Sequence, residues 1–355
     1  MHKKNVITYL IIFNLLAILV ILLGKISVLR NFINVIFAVV IIPIIFGVFL
    51  FYILKPLNNI FLKKKMKGGS AASLTLLIFF FIAAGIMKYF GDYFIEQFIN
   101  LKIIFLKIVE EKGNLYGVGE FFKGDIFKLD YYEKFLGDIQ KYAILLASGL
   151  RGIFDKGMQL FSDILLIILI VFYLLKDEEK IKENIVNIFP GKYKYKLYDI
   201  VEESDEVLSS YILGQAKVAL SLALMVFIGY KIIGMASPLL LSSVTFVLAF
   251  IPFVGFFISM IIPYIIAIAL GWSMIIKLSI LVIIAQTLKG RIIVPLIMGK
   301  TMNIHPITDI FLVVGAASLV GPIGAFVVVP IYSLGKVIFK YFNKEVEEKL
   351  KEFKE

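Results

Sequence analysis

Residues 211–342 are apolar enough to lie in a bilayer, yet proline and glycine cut this run at membrane depth. The cuts read IPFVG at 251–255, VPLIMGK at 294–300, HP at 305–306 and GAASLVGPIGAFVVVP at 315–330. A helix broken inside hydrocarbon frees N–H and C=O groups, and these persist only where protein buries them or a watery cavity wets them. Discontinuous helices of this kind form the binding sites of membrane transporters. The run therefore predicts an all-α, polytopic membrane protein whose C-terminal half holds a transport core.

Composition supports that class. With 60% apolar residues over 355 positions and 33 phenylalanines, the chain has more apolar surface than a water-soluble fold could hide. It has no cysteine, which excludes a disulfide framework, a thiolate nucleophile and Cys-ligated metal, and fits a bacterial or archaeal cytoplasmic membrane. Only His2 and His305 are available, too few for a multi-His metal site. No P-loop, GxSxG elbow or zincin motif is present, so neither an enzyme nor a cofactor is expected. The net charge of +11 sits largely in short lysine clusters beside apolar spans, the mark of cytoplasmic loops rather than of nucleic-acid binding.

Apolar spans recur along the chain. Three spans open the chain at about 5–23, 32–54 and 70–90, each near the roughly 20 residues a crossing needs; the first, with Lys3 and Lys4 ahead of it, reads as an uncleaved helix. Lys63, Lys64, Lys65 and Lys67 crowd the loop between the second and third, which places that loop and the N-terminus in the cytoplasm. Residues 91–157 carry mixed charge, nine basic against ten acidic over 91–156, and read as an amphipathic, non-cytoplasmic helical segment against the membrane or a neighbouring subunit. A fourth span at about 158–175 returns the chain to a cytoplasmic helical linker ending near residue 210. Spans at 211–233, 238–251, 256–270 and 274–288 follow, then a cytoplasmic loop bearing Lys289, Arg291 and Lys300. The block 307–341 is either a re-entrant hairpin or two crossings, and 343–355 is a charged cytoplasmic tail.

The ordered run YILGQ (211–215), IPFVG, Gln286, PLIMGK (295–300), IHP (304–306) and the spaced Gly315, Gly321, Gly324 ending in Pro330 resembles the autoinducer-2 exporter family. FYLLKD (172–177) and FLFYILKP (49–56) resemble it too, so the likeness is collinear over nearly the whole chain. The resemblance implies a multi-span transporter of about eight transmembrane helices, with members linked to export of the furanone signal autoinducer-2 and others to sodium or lithium/proton antiport, and assembly as a homo-oligomer. The chain departs from the family at Lys289, where an acid commonly follows the residue aligned with Gln286, and at Asp309, where an apolar residue is expected.

The candidate pathway residues are Gln215, Gln286, His305 and Asp309. The two glutamines donate and accept, as suits a neutral polyhydroxylated solute, or they tie helices together. Asp309, four residues after His305, stands on the same helix face and reads either as a cation- or proton-binding partner or as a first-turn acid that complements the helix dipole. Gly214, Pro252, Gly255, Pro295, Gly299, Pro306, Gly315, Gly321, Gly324 and Pro330 are the expected hinge or broken-helix positions. The first functional reading is a secondary transporter or facilitator exporting a small solute, rocking about Gly214, Gly255 and the 315–324 turn. The second is a monovalent cation/proton antiporter with Na+ or H+ as the coupling ion. The third is a non-transporting, oligomeric membrane scaffold built on residues 91–156. Membrane lipid and a small-molecule solute are the expected partners.

Overall fold

The computed structural model describes residues 14, 31–32, 35–110, 157–191, 194–252, 254–298 and 304–352, and every regular element among them is helical. The expected first span lies outside the described residues except for Asn14, and so do Gly299 and the stretch 111–156. In chain order the helices are α1 (Ile42–Lys63), α2 (Gly68–Glu110), α3 (Gly157–Asn187), α4 (Lys194–Ile233), α5 (Pro238–Leu248), α6 (Val254–Ser259) and α7 (Ile261–Leu270). They continue as α8 (Trp272–Leu288), α9 (Val294–Met298), α10 (Pro306–Val320) and α11 (Pro322–Glu352).

Among the described residues, five helical runs are long and apolar enough to cross a bilayer: Phe37–Lys63, Gly68–Ile86, Lys194–Ile233, Trp272–Met298 and Pro322–Phe342. Shorter apolar helices occupy Pro238–Leu248, Val254–Ile268 and Ile307–Val320, and the expected fourth span lies on α3. The protein is a multi-pass helical membrane protein. Phe81, Ile232 and Leu319 are among the apolar side chains turned fully outward, where lipid rather than water satisfies them.

Proline shapes two of the long runs in the same way. A π-helical turn at Phe37–Ile41 ends two residues before Pro43, and a second at Lys289–Ile293 ends two residues before Pro295. A proline ring clashes with the carbonyl four residues back, and a widened turn moves that carbonyl aside without breaking the helix. The loop expected at 289–300 is thus helical as far as Met298, and Lys289 and Arg291 ride on the π turn.

The helices pack around two apolar cores that share α4. One core joins Tyr211 and Ile212 of α4 to Phe51 and Leu54 of α1, Val171 and Leu175 of α3, Val313 of α10 and Val329 of α11. The other joins Leu222, Val226 and Tyr230 of α4 to Leu241 of α5, Phe256 of α6, Ile266 of α7 and Leu278 of α8. A 40-residue helix is about 60 Å long, long enough to serve both. The 43 residues of α2 likewise outreach a hydrocarbon core of about 30 Å, and beyond the apolar span the helix meets the end of α5, where the Ser237 hydroxyl donates to the Gln97 carbonyl at 3.1 Å.

The block 307–341 resolves into a hairpin. Its first arm, α10, is 15 residues long, about 22 Å against the roughly 30 Å of a bilayer core. The turn falls at Gly321, whose φ of +76° belongs to glycine. A Cβ on Gly324 would stand 2.5 Å from the Ala316 carbonyl oxygen, so the two arms touch backbone to backbone.

The break between α5 and α6 is tighter still. A Cβ on Gly255 would fall 1.8 Å from the Leu248 carbonyl oxygen, a clash with rigid backbone. Gly255→Ala is therefore expected to lower the melting temperature of the detergent-solubilised protein by several degrees, for a loss of about 1–3 kcal/mol, whereas Gly315→Ala, whose Cβ would meet nothing within 4 Å, should melt close to wild type.

Candidate functional site

Pro252 has no N–H to offer the Leu248 carbonyl, so α5 ends there, and that carbonyl takes the Ile251 N–H at 2.9 Å. The neighbouring Ala249 carbonyl receives the Gln215 side-chain amide at 2.6 Å, inside the packed interior. Gln215 thus ties α4 to the break in the apolar run. Phenylalanines enclose the same place: Phe250 lies 5.3 Å from Phe49 and 5.4 Å from Phe246, and Phe49 lies 4.5 Å from Phe326, ring centre to ring centre. This cluster draws α1, α5 and α11 together.

One turn earlier on α4, the Tyr211 hydroxyl is buried and has no hydrogen-bond partner. Asp309 Oδ1, in the first turn of α10, is also buried without a partner. The two groups lie within electrostatic reach of one another. Tyr211 and Val313, one turn beyond Asp309, share a core with Ile251, Val254 and Ile304 packed against it. A Cβ on Gly214 would meet the Met298 side chain at 3.4 Å. Four separate motifs, YILGQ, IPFVG, PLIMGK and IHP, therefore converge on one region of the fold.

Of the expected pathway residues, Gln215 and Asp309 reach this region. His305 does not pair with Asp309; it caps α10, its backbone extended and its ring Nδ1 accepting the Ile307 N–H at 3.3 Å. The two stand one turn apart, the Asp309 N–H bonding the His305 carbonyl at 3.1 Å, but the His305 ring turns to the Ile307 N–H instead of to the Asp309 carboxylate. Gln286 stands on α8 beside Ala285 of the second core. Among the hinge positions, Pro306 opens α10, Pro330 lies inside α11, and Pro295 lies in α9 past the π turn.

A charged cluster not anticipated from sequence closes the first core on the N-terminal side of α4. Asp205 accepts from Tyr52 Oη at 2.8 Å, from Lys55 Nζ at 2.8 Å and from Lys182 Nζ at 2.9 Å. Glu178 takes the same two ammonium groups at 2.7 and 3.3 Å. These four charged side chains are 14–18% exposed. The backbone departs from helix at Asp177 (φ −119°, ψ 27°), and the resulting kink turns Glu178 and Lys182 toward α1 and α4. Burial pulls the Lys182 ammonium down, but hydrogen bonds and charge from Asp205 and Glu178 outweigh it and hold the group above the ordinary lysine range. Behind this clasp, Asn58 donates to the Leu175 carbonyl at 3.1 Å and accepts from Thr75 at 3.2 Å, tying α1, α2 and α3. The sequence signal was present as Lys55 at the end of one span and FYLLKDEE at the end of another, but single charges at span ends also mark membrane boundaries.

Comparison with known proteins gives this geometry a setting. A family model described as AI-2E family transporter matches residues 9–344. "Putative transport protein YueF" of Bacillus subtilis is 31% identical over 194 residues, 55% of this chain and 53% of that protein. The similarly named YrrI of Bacillus subtilis is 28% identical over 195 residues, 55% and 54% of the two chains, and MJ1177 of Methanocaldococcus jannaschii is 25% identical over 122 residues, 34% and 36%. The match spans about half the length of the first two relatives.

Two measurements follow from the geometry. Gln215→Leu should destabilise the protein by about 1–2 kcal/mol, because it strands the Ala249 carbonyl in an apolar interior; chemical denaturation in detergent reads this directly. The raised Lys182 favours the folded state fully below the ordinary lysine pKa, and that contribution fades as pH climbs through the higher folded value. Melting curves should accordingly show an alkaline loss of stability above about pH 10.5 that Lys182→Met makes smaller.

Proposed function

The chain belongs to the AI-2E family of transporters, and from that premise we propose that it is a secondary transporter or facilitator that exports a small hydroxylated solute of the autoinducer-2 type. The observation that carries this reading is the interrupted α5–α6 helix, held to α4 by the Gln215 amide. A break that the protein keeps satisfied by one side chain offers backbone polar groups at depth when the contact opens. Alternating access moves α5 to α9 against α1 to α3 and the α10–α11 hairpin. The long α4 is common to both sides and flexes near Gly214. The clasp of Lys55, Glu178, Lys182 and Asp205 is the gate at one end of the path. In this reading the loop of Lys63, Lys64, Lys65 and Lys67 faces the cytoplasm, as do both termini.

A cation/proton antiporter is the second reading. Asp309 favours it, since a carboxylate oxygen buried without a partner is the kind of group that takes up a proton or a cation.

Proteoliposomes holding the full chain and loaded with labelled autoinducer-2 test the first reading. Saturable efflux above that of empty liposomes is expected without ATP, and Asp205→Lys, which breaks the clasp, should alter its rate severalfold. Absence of saturable efflux, together with proton flux driven by a sodium gradient, would replace export with antiport.

A further inference from the structure

We propose that Tyr211 and Asp309 form a hydroxyl-binding pair that grips one hydroxyl group of the transported solute; this rests on the transporter reading above. Tyr211 is 4% exposed, and its hydroxyl has no partner in the structure. Asp309 Oδ1 is a second orphan, on the helix whose Val313, one turn further on, packs in the same core as Tyr211. Buried polar atoms are nearly always satisfied, and each exception asks for an explanation such as a missing ligand. The two do not satisfy one another, yet their chemistry is complementary, because the phenol donates and the carboxylate accepts.

A solute hydroxyl can accept from Tyr211 and donate to Asp309 at once. A methyl group can do neither, and a carbonyl only the first. A sodium ion would take both oxygens, but hard cations need a shell of several oxygen ligands. The described side chains packed here, Ile212, Val313, Val329, Ile251 and Ile304, supply none. The amide of Gln215, one turn along α4 from Tyr211, is already given to the Ala249 carbonyl. The surroundings therefore favour a neutral, hydroxylated group over a bare ion.

The position suits a transport site as well as the chemistry does. Tyr211 lies on α4, six residues or about 9 Å along the axis from Asp205 of the clasp. It also lies one turn from Gln215 at the helix break. Tyr211 thus sits between a gate and a hinge, on a long helix that packs into both cores.

Binding rather than flux tests this pair, so that its failure and that of the transporter reading stay separate. The full chain in detergent is titrated with autoinducer-2, and with an analogue lacking one of its hydroxyl groups, while thermal stabilisation reports the dissociation constant. Wild type should bind the parent about tenfold or more tightly than the analogue, and Tyr211→Phe, which keeps the ring and loses only the hydroxyl, should erase that preference. Asp309→Asn, which keeps the shape and removes the charge, should weaken the parent by a similar factor. Equal binding by wild type and Tyr211→Phe, or no binding to wild type, would overturn the proposal. So would stabilisation by sodium chloride alone that Tyr211→Phe abolishes, since it would make the pair a cation site. Binding that depends on Tyr211 in a protein that shows no efflux would keep the pair and remove the exporter.

Discussion

The hydrogen bond from Gln215 to the Ala249 carbonyl is the contact on which the C-terminal half depends. An interrupted helix is tolerable in hydrocarbon only if something satisfies the groups it frees, and water is not available to do so. Here one amide on a long neighbouring helix does part of that work, at 2.6 Å. Pro252 makes the break necessary, and Gly255, pressed on the Leu248 carbonyl, lets the chain turn closely enough to resume as α6. The phenylalanines around Phe250 close the apolar side of the same joint.

That joint gives α4 a particular place in the molecule. Its N-terminal part carries Asp205 in the charged clasp, its middle carries Tyr211 and Gln215, and its C-terminal part packs Leu222, Val226 and Tyr230 into the second core. A continuous helix with three such attachments links them, and a shift at one is shared between the others and the flexible point near Gly214. The clasp itself is a costly device. Ions held at 14–18% exposure have lost much of their hydration, and mutual attraction repays this only while all partners are present. Such a network suits an element that is either closed or open.

Much of the helical plan was legible in the sequence. Spans at 32–54 and 70–90 correspond to α1 and α2, and the mixed Pro/Gly block at 307–341 to a hairpin, because hydrophobic length and helix breakers act locally. The π turns were not legible. A proline in an apolar run reads as a kink or an end, and only the surrounding helix shows that a widened turn carries the chain past Pro295. His305 and Asp309 show a limit of spacing: four residues set them one turn apart, but the direction of the ring at the cap, which sends His305 Nδ1 to the Ile307 N–H, is not carried by spacing.

The sequence by itself determined the class of protein, its helical make-up and the family, since these rest on composition, period and ordered motifs. Tertiary structure decided which polar groups meet. Gln215 and Ala249 lie 34 residues apart on different helices and no periodicity links them; Lys55 and Asp205 are separated by 150. Hydrophobic burial can be read along a chain because it is nearly a sum over residues. Pairing of buried polar atoms cannot, because it depends on direction and distance between helices that only the packed fold sets.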